Sequence, residues 1–458
     1  MKKITAILAV YNAVNHTKTC LQYLRQDLEG LPHEIIVINN GSTDGTAAYL
    51  ENEPDLKVIT HAEPQGVAFS YNEAIEASTG DYLLFLHNDV VVPPDTTAYL
   101  LSKLEQDPQA GAIGPLSNAV HWHRQMCWNV PSYEGTQELF QLANQIRQQD
   151  VTPFANLYVE NFFLLMRRQA LQAVGGFDAS FPLHYLEDID LCLRLWQHGW
   201  RVLIAPSAYV HHERGATFAC NGINAQEAFQ TLLHFFEEKR GFNPGYSGCL
   251  RMELIQYLNL QRSNLAILDV GCALGANLLY LREHCPDAHL FGIEMNPHTA
   301  EFAQGFGRVI TGNAEAVQNS LWQNKFDYIL CGDVIEHLRE PWAAVKKFAS
   351  WLKPGGEILA SVPNVQHISI LRDLLTGVWP YAEAGILDRT HLRFFTLPSI
   401  RTLFTDAGLS FEKLGGSQGW EGPRDGQLEE ELKALKSVEI EPEGFNIIQY
   451  FIRARKEA

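Results

Sequence analysis

Two series of alternating strand and helix patterns constrain the fold of this chain more than any other feature. The first runs from "KITAILAVYN" to "DYLLFLHNDVVV", and the second from "LAILDVGCALGANLLYLREH" to "GGEILASVPNV". Apolar runs of strand length that alternate with helical periodicity predict mostly parallel sheets covered by helices. Ligands of such sheets bind beyond the carboxyl ends of the strands. The predicted fold class is therefore α/β, with two domains.

The alternation stops near residue 220, where "NAQEAFQTLLHFFEEKRGFNPGYSG" predicts a helix ended by glycine, asparagine and proline. We predict an N-terminal domain over 1–220, a helical linker over 221–248 and a C-terminal domain over 249–458. Each half has its own strand series and its own glycine-bearing turn, which indicates two different folds and not an internal repeat. With 458 residues, 46% of them hydrophobic, the chain has enough apolar material for two cores.

Charge and cysteine usage exclude several classes of protein. The formal net charge of -18 repels phosphate backbones, and no Lys/Arg-rich run interrupts it, so we expect no nucleic-acid partner. The eight cysteines show no Cys-x-x-Cys spacing, which favours reduced thiols over disulfides or zinc ligands. No apolar stretch reaches the roughly 18 residues that a membrane-spanning helix needs. We therefore predict no transmembrane segment.

Three segments of the first half place polar groups at the ends of strands and helices. "EIIVINNGSTDGT" ends a strand in a turn suited to a nucleotide, and "YLLFLHNDVVVPPD" carries Asp89 at the end of an apolar strand. "LHYLEDIDLCLRL" carries Glu187, Asp188 and Asp190 at the start of a helix. Carboxylates in these places suggest a charged ligand, although Asp89 could also begin a turn. The acidic pair could also be first-turn residues favoured by the helix dipole.

Together with "AVYN", "GVAFSYNEAI", "GPLSN", "GGFD" and "VHHERGATF", these segments resemble the inverting family 2 glycosyltransferases over about residues 3–218. The similar members build bacterial surface polysaccharides with rhamnose or related sugars. The resemblance implies a GT-A nucleotide-sugar-binding fold, a nucleotide-diphospho-sugar donor and a glycan or lipid-linked saccharide acceptor. A departing diphosphate needs neutralisation by a divalent cation on hard oxygen ligands, so we expect Mg²⁺ or Mn²⁺.

The resemblance also implies roles for single residues. Asp89 is the predicted metal ligand, helped by His211 or His212, of which we favour His212. The acceptor hydroxyl needs a base, and the family assigns that role to the aspartate of the Glu-Asp pair, here Asp188, with Glu187 as its neighbour or orienter. The predicted contacts to the donor nucleotide are Asn39, Ser42 and Asp44.

Two positions depart from the family pattern. Relatives often have an aspartate where Asn39 stands and an acidic residue where His87 stands. Asparagine can donate to and accept from a pyrimidine base, so we expect activity to survive. Asn40, Ser42 and Asp44 could instead only shape a turn or cap the following helix, which is compatible with nucleotide binding. A non-catalytic binder of sugar nucleotides is therefore the alternative for this domain.

The second half contains a turn that suits a cofactor. "ILDVGCALGANLLYL" places Asp269, Gly271 and Gly275 between an apolar strand and a helix, where the backbone must come close to a ligand. Glu294 ends the next strand, and a carboxylate there can accept both ribose hydroxyls of an adenosine cofactor. The spacing is G-x-A-x-G and not G-x-G-x-x-G, which argues against a nicotinamide dinucleotide.

With "FDYILCGDVIEHL", "LKPGGEILASVPN" and "GILDRTHLRFFTLPSIRTLFTDAGL", this half looks like the class I S-adenosylmethionine-dependent methyltransferases, over about residues 245–412 plus the last strand. The matching branch modifies small molecules and glycans. The resemblance implies a Rossmann-like fold and S-adenosylmethionine as cofactor. Ala273 replaces the usual central glycine, and Asn313 replaces a common aspartate. The residues that it implies for the cofactor are Asp269, Gly271, Gly275, Glu294, Asn313, Ala314 and Asp333.

Methyl transfer to a sugar hydroxyl gains from a base as well as from alignment. The candidates are His337, His367 and His391, of which we favour His391, in the segment "LDRTHLRFF" with Asp388 and Arg393. Each histidine could instead be a structural hydrogen-bonding residue.

We therefore predict a bifunctional enzyme of glycan assembly. One domain transfers a sugar from a nucleotide donor with inversion, and the other methylates a hydroxyl of the product or of a related glycan. The alternative is a methyltransferase with a non-catalytic glycan- or nucleotide-sugar-binding N-terminal module. We expect a cytoplasmic protein, and peripheral contact with the inner face of a membrane through a lipid-linked acceptor stays open.

Overall fold

The computed structural model describes residues 2–121, 123–128, 130, 134–182, 185–215, 220–222, 224–418, 426–434 and 442–457. Residues 216–218 of "VHHERGATF" and 183–184 of "LHYLEDIDLCLRL" lie outside the described residues. The chain divides into two compact units, Met1–Tyr246 and Ser247–Ala458. Among the described residues, no helix combines the length and the apolar character needed to cross a membrane.

The first unit contains ten strands and eight helices of α type among its described residues. The strands are β1 Ile4–Val10, β2 His33–Asn40, β3 Leu56–His61, β4 Tyr82–Leu86, β5 Val90–Val91, β6 Ala110–Leu116, β7 Phe154–Ala155, β8 Phe163–Arg167, β9 Arg201–Tyr209 and β10 His211–His212. The helices are α1 Val14–Asp27, α2 Thr46–Leu50, α3 Val67–Ala77, α4 Thr96–Gln106, α5 Thr136–Arg147, α6 Arg168–Ala173, α7 Glu187–Gln197 and α8 Ala225–Arg240.

The main sheet of this unit has eight strands in the order β3-β2-β1-β4-β8-β6-β9-β7. β1 pairs in parallel with β2 and β4, whereas β8 runs antiparallel to β4. The side chains of β4 are fully buried, as a central strand covered on both faces requires. Because β1, β2 and β4 are parallel, the polar residues that end each of them meet at one edge of the sheet.

A small second sheet completes that edge. β10 pairs antiparallel with β5, so that His212 lies opposite Val90 and His211 opposite Val91. The segment after β9 is thereby carried across to the end of β4. This pairing is the local reason why His212 and Asp89, 123 positions apart by their numbers, become neighbours.

The segment predicted as a linker forms helix α8, which packs on the first unit. Asn224 caps it by accepting hydrogen bonds from the backbone N–H groups of the first turn. Phe236 is fully buried, with its ring beside that of Phe181. Arg240 pairs with the buried carboxylate of Asp190 at the start of α7. The exact limits of the two domains and of a linker stay a prediction.

The second unit has seven described strands and the remaining helices. The strands are β11 Ala266–Val270, β12 His289–Glu294, β13 Arg308–Thr311, β14 Phe326–Gly332, β15 Leu352–Pro363, β16 Leu409–Ser417 and β17 Gln449–Lys456. The helices, from α9, which crosses the boundary between the units, are α9 Pro244–Ser247, α10 Met252–Ile255, α11 Ala276–His284, α12 Pro297–Ala303, α13 Pro341–Trp351, α14 Ile368–Leu375, α15 Leu397–Thr405 and α16 Gly426–Lys433.

These strands form one sheet in the order β13-β12-β11-β14-β15-β17-β16. The first five are parallel, and β17 enters antiparallel between β15 and β16. A buried cluster that includes Phe326, Phe348 and Trp351 packs on the sheet. The predicted α/β fold class with two domains is confirmed, and the predicted final strand is β17.

Candidate active sites

The first unit contains a cavity of about 340 Å³ at the edge where β1, β2 and β4 end. Val10 and Asn40 line it from the ends of β1 and β2, and Asp89 lines it from the turn after β4. Asp188 of α7 and His212 of β10 line it from the other side. The structure therefore brings together the predicted base and both predicted metal ligands.

Asp89 and His212 form an almost fully buried pair. His212 Nε2 lies 3.2 Å from Asp89 Oδ1, and the two residues are 5% and 7% exposed. His87 completes the group, with Nδ1 3.4 Å from His212 Nε2. One ligand atom from each of the three residues lies within 4.8 Å of the other two. This donor set of two imidazoles and a carboxylate fits a divalent cation.

The hydrogen bonds around the two histidines fix which nitrogen faces Asp89. His87 Nε2–H donates to Asn161 Oδ1 at 3.0 Å, and Asn161 is turned this way because its amide donates to Glu187 Oε1 at 2.8 Å. His212 Nδ1–H donates to the Ala119 carbonyl at 3.0 Å. The lone pairs of His87 Nδ1 and His212 Nε2 therefore point toward Asp89 and toward each other. Hydrogen-bond partners on the far side of the ring commonly orient metal-binding histidines in this way.

Asp188 faces the same cavity. Its carboxylate accepts hydrogen bonds from the backbone N–H of Asn161 at 3.0 Å and of Ile189 at 2.8 Å. Burial, with the nearby charges of Glu187 and Glu160, raises the pKa of Asp188 well above its usual value. A carboxylate with a raised pKa has a stronger affinity for a proton, which suits a general base.

Glu187 lies behind this group and is only 1% exposed. Its second oxygen accepts a hydrogen bond from the backbone N–H of Tyr185 at 2.8 Å. Tyr185 and Leu186 have φ values of 109° and 69°, which are costly for residues with side chains. Asp190, in contrast, is paired with Arg194 at 2.8 Å and with Arg240, so it is structural.

The predicted nucleotide contacts lie at the turn after β2. Asn39 Oδ1 accepts from the backbone N–H of Ser42 at 3.1 Å, and Ser42 Oγ accepts from that of Asn12 at 2.9 Å. Asp44 accepts from the backbone N–H of Thr46 at 3.1 Å. These bonds shape the turn, and the lining of the cavity includes Asn40 rather than these three residues. Their role in donor binding stays a prediction.

Sequence reasoning missed four residues around the cavity. The family pattern marks His87 only as a departure, and the local pattern marks Asn40 only as a turn residue. Glu160 and Asn161 follow no motif, and only the fold places them beside α7. The one available signal is that Glu160 and Asn161 interrupt the apolar run "LYVENFFLL".

In the second unit the glycine turn follows β11 as predicted. Gly271 and Gly275 have φ values of 72° and 80°, and Ala273 has 47°. A Cβ on Gly271 would lie 2.8 Å from Val334 Cγ2, so this position has no room for a side chain. Glu294 Oε2 accepts the backbone N–H of Ala273 at 2.8 Å, and Oε1 accepts that of Asn296 at 2.8 Å. The carboxylate thus fixes the turn from the end of β12.

Two further carboxylates surround the turn. Asp269 is buried and accepts from Asn277 Nδ2 at 3.1 Å, and burial raises its pKa to about 7. Asp333, at the end of β14, has Oδ2 2.8 Å from Arg251 Nη1 and Oδ1 2.7 Å from Ser361 Oγ. The predicted Asn313 uses its side chain locally, accepting the backbone N–H of Glu315 at 2.8 Å.

The three candidate histidines have different surroundings. His367 caps α14 through Ser369 and is structural in that respect. His391 Nδ1–H donates to the Ile386 carbonyl at 2.9 Å, which leaves Nε2 as the acceptor. The rings of His391 and His337 lie 4.8 Å apart, centroid to centroid. Burial and this neighbour lower the pKa of His337.

Comparison with known families agrees with the two folds. Residues 5–175 match the family model described as Glycosyl transferase family 2, and residues 225–414 match one described as Methyltransferase domain. The chain joins a family 2 glycosyltransferase domain to a methyltransferase domain. Both family resemblances found in the sequence are thereby confirmed. The second match includes helix α8, which the structure packs on the glycosyltransferase domain.

Three curated relatives with glycosyltransferase or polysaccharide synthase names each match less than half of this chain. The chain is 29% identical over 220 residues to a pre-mycofactocin glycosyltransferase of Mycobacterium tuberculosis, covering 46% of this chain and 43% of that protein. It is 28% identical over 243 residues to the N-acetylglucosaminyl-diphospho-decaprenol L-rhamnosyltransferase of the same organism, covering 47% and 78%. It is 26% identical to a poly-beta-1,6-N-acetyl-D-glucosamine synthase of Staphylococcus aureus, covering 45% and 49%. The chain thus spans less than half the length of two of these relatives.

Solved structures similar to each domain have low identity. A mannosyltransferase from Pyrobaculum calidifontis in complex with GDP-Man and Mn²⁺ is 21% identical, with a TM-score of 0.35, covering 53% of this chain and 70% of that one. A SAM-dependent methyltransferase from Archaeoglobus fulgidus is 19% identical, with a TM-score of 0.33, covering 49% and 99%.

Proposed function

We propose that the protein transfers a sugar from a nucleotide-diphospho-sugar to a glycan or lipid-linked saccharide acceptor, with inversion, and methylates a hydroxyl of the product or of a related glycan. The observation that carries the first activity is the single cavity that holds a predicted base and a metal-binding group. The rhamnosyltransferase among the relatives supports a saccharide acceptor.

In the glycosyltransferase domain, Asp89, His212 and His87 would hold a divalent cation, which would neutralise the departing diphosphate. Asp188 accepts the proton of the acceptor hydroxyl while the oxygen of that hydroxyl forms the new bond to the anomeric carbon. The bond from that carbon to the diphosphate breaks in the same displacement. Glu187 positions His87 through Asn161 and does not itself line the cavity.

In the methyltransferase domain, S-adenosylmethionine would be held at the turn after β11 and would supply the methyl group. Gly271 and Gly275 give the backbone room to approach it, and Glu294 at the end of β12 is placed for the ribose hydroxyls. His391 is the predicted acceptor of the proton of the acceptor hydroxyl that would receive this methyl group. Asp269, Asn313 and Asp333 complete the proposed cofactor site.

A donor screen tests the sugar transfer. Purified protein with Mg²⁺ or Mn²⁺ is offered UDP-, TDP- and GDP-sugars, and release of nucleoside diphosphate is measured. We expect metal-dependent release from one donor, lost in Asp89→Asn but kept in Asp150→Asn, a matched change of an exposed aspartate. Binding of a donor without any release would instead favour the alternative of a non-catalytic module that serves the methyltransferase.

A further inference from the structure

The methyltransferase domain contains a buried carboxylate whose chemistry the proposed reaction does not use. Glu336 lies in the short helix Ile335–His337 just after β14 and is only 1% exposed. Within the described part of the chain, neither of its carboxylate oxygens has a hydrogen-bond partner. Burying a carboxylate is unfavourable unless another group compensates for its lost hydration. The side chain therefore indicates a ligand.

Two histidines share this space with Glu336. One ligand atom from each of Glu336, His337 and His391 lies within 4.8 Å of the other two. The Nδ1–H of His391 donates to the Ile386 carbonyl at 2.9 Å, and Nδ1 of His337 lies 3.2 Å from the Thr390 carbonyl. Since a carbonyl can only accept, each Nδ1 is the protonated nitrogen and each Nε2 carries the lone pair.

The backbone holds the two segments of this cluster together. The carbonyl of Glu336 accepts hydrogen bonds from the backbone N–H of Leu392 at 2.8 Å and of Arg393 at 3.0 Å. Asp388 accepts from both the N–H and the hydroxyl of Thr390, at 2.7 and 2.6 Å, which fixes the turn before His391. The positions of the three side chains thus follow from specific pairing between segments that are more than 50 residues apart.

We propose that Glu336, His337 and His391 bind a divalent metal cation. Two neutral imidazoles and one carboxylate are a mixed nitrogen and oxygen donor set, which suits Zn²⁺, Mn²⁺, Fe²⁺ or Co²⁺ better than Ca²⁺. The carbonyl partners of both rings orient them as outer partners orient metal-binding histidines. This group belongs to the second unit and shares no residue with the group around Asp89.

Three protein ligands leave coordination positions for oxygen atoms of a small molecule. Resting on the proposed methyl transfer, the natural occupant is the hydroxyl of the methyl acceptor, whose pKa a bound cation would lower. His391 would then hold the cation in place of the base role proposed above, and the hydroxyl would release its proton to solvent water. Whether the cation binds does not depend on that reaction.

Cation binding by the full-length chain tests the proposal directly. Chelator-treated Asp89→Asn protein, in which the first cation group is weakened, is dialysed against Mn²⁺ or Co²⁺ and the bound metal is counted. Glu336→Gln is compared in the same background, with the exposed Glu340→Gln as the matched control. We expect Glu336→Gln to weaken binding at least about tenfold and Glu340→Gln to leave it unchanged. Visible absorption of bound Co²⁺ reports whether imidazoles are among its ligands.

Equal cation binding by the Glu336→Gln and Glu340→Gln proteins would overturn the proposal, as would no binding in the Asp89→Asn background. If Glu336→Gln fails to fold, His391→Gln replaces it, and the same two outcomes apply. If the protein binds the cation but shows no methyl transfer, that result would count against the proposed reaction and would still support the cation site.

Discussion

Both candidate sites depend on single buried residues whose charge is controlled by their neighbours. Asp188, Asp269 and Glu336 are buried carboxylates, and the pKa of each is raised, chiefly by burial. A folded chain accepts such residues only where a proton, a hydrogen bond or a ligand offsets the cost. The titration of these residues therefore offers direct tests.

Asp188→Asn should reduce sugar transfer by about 10²–10⁴-fold, the usual contribution of a general base, with the fold intact. An amide keeps the shape of the side chain but cannot accept the proton. It also keeps only one of the two backbone hydrogen bonds, because each carboxylate oxygen of Asp188 accepts one of them. Release of nucleoside diphosphate in the presence of acceptor measures the loss, and a melting curve checks folding. Unchanged turnover would show that another group is the base.

The rate of sugar transfer should fall as the pH is lowered, and the fall should begin at a higher pH than an ordinary aspartate base would give. The base must be ionised to work, and the pKa of Asp188 is raised above its ordinary 3.8, so this fall should lie above that value. The dependence of kcat/KM on pH measures it. An acid limb at or below the ordinary value would contradict the assignment.

Asp269 should make the chain less stable as pH rises. Its pKa is about 7 in the folded chain and 3.8 ordinarily, so the folded state holds a proton that the unfolded state releases between these values. The stability that Asp269 contributes is fully present below about pH 4, and it is lost as the pH rises from about 4 to about 7. Asp269→Asn cannot titrate, so its free energy of unfolding relative to wild type should rise from pH 5 to pH 8. Urea unfolding at both pH values measures this, with the exposed Asp406→Asn expected to show no such trend.

Part of the site chemistry could be predicted from the sequence at this scale. Asp89, Asp188 and His212 stand within recognisable segments at the ends of apolar runs, and the structure brings them to one cavity. His87 and Glu336 could not be assigned, because their surroundings depend on Asn161 and on His391, which are distant in the sequence. Motif spacing carries no information on such contacts until the fold is known.

At the scale of elements, strand ends position the chemistry in both units. β1, β2 and β4 end at one edge of the first sheet, and β11, β12 and β14 end at one edge of the second. The sequence predicted these strands because each is a continuous apolar run. It did not predict β7 or β10, because two-residue strands have no period to detect, and it did not separate β5 from β4 within "DYLLFLHNDVVV". Yet β5 and β10 are what join His212 to Asp89.

Gly271→Ala should weaken binding of S-adenosylmethionine about tenfold or more and lower stability. The new Cβ would collide with Val334, and the left-handed backbone would be strained in addition. Gly408→Ala has the same backbone strain at a φ of 78° but an open surrounding, so it separates the two effects. Calorimetric titration of both full-length variants measures binding. Equal affinity in the two would show that the collision has no effect on the cofactor site.

At the scale of the whole molecule, each site is built from one unit only. The cavity residues all precede 246, and the turn, its carboxylates and the cluster around Glu336 all follow 247. The two-domain organisation was predictable because the alternation of strands and helices stops and restarts. The place of helix α8 was not, because its pattern does not indicate which unit its apolar face covers.

Changes in one unit should therefore leave binding in the other untouched. We expect Asp89→Asn to abolish metal-dependent donor turnover while keeping the wild-type affinity for S-adenosylmethionine. Gly271→Ala should do the reverse. Donor turnover and calorimetric titration on the same two preparations measure both. A loss of both functions in either variant would show that the sites depend on each other.

Helix α8 also determines where such a protein can be divided or recombined. Arg240 and Lys239 near its end pair with Asp190 and Asp178 of the glycosyltransferase unit, the former fully buried. A gene fragment that stops at residue 218 contains every recognisable glycosyltransferase segment. It would nevertheless lack the side chains of Lys239 and Arg240, and the apolar surface that Phe236 covers would be exposed. We therefore expect that the methyltransferase can be exchanged at a boundary after the helix, near 246, and not at the end of the sequence resemblance.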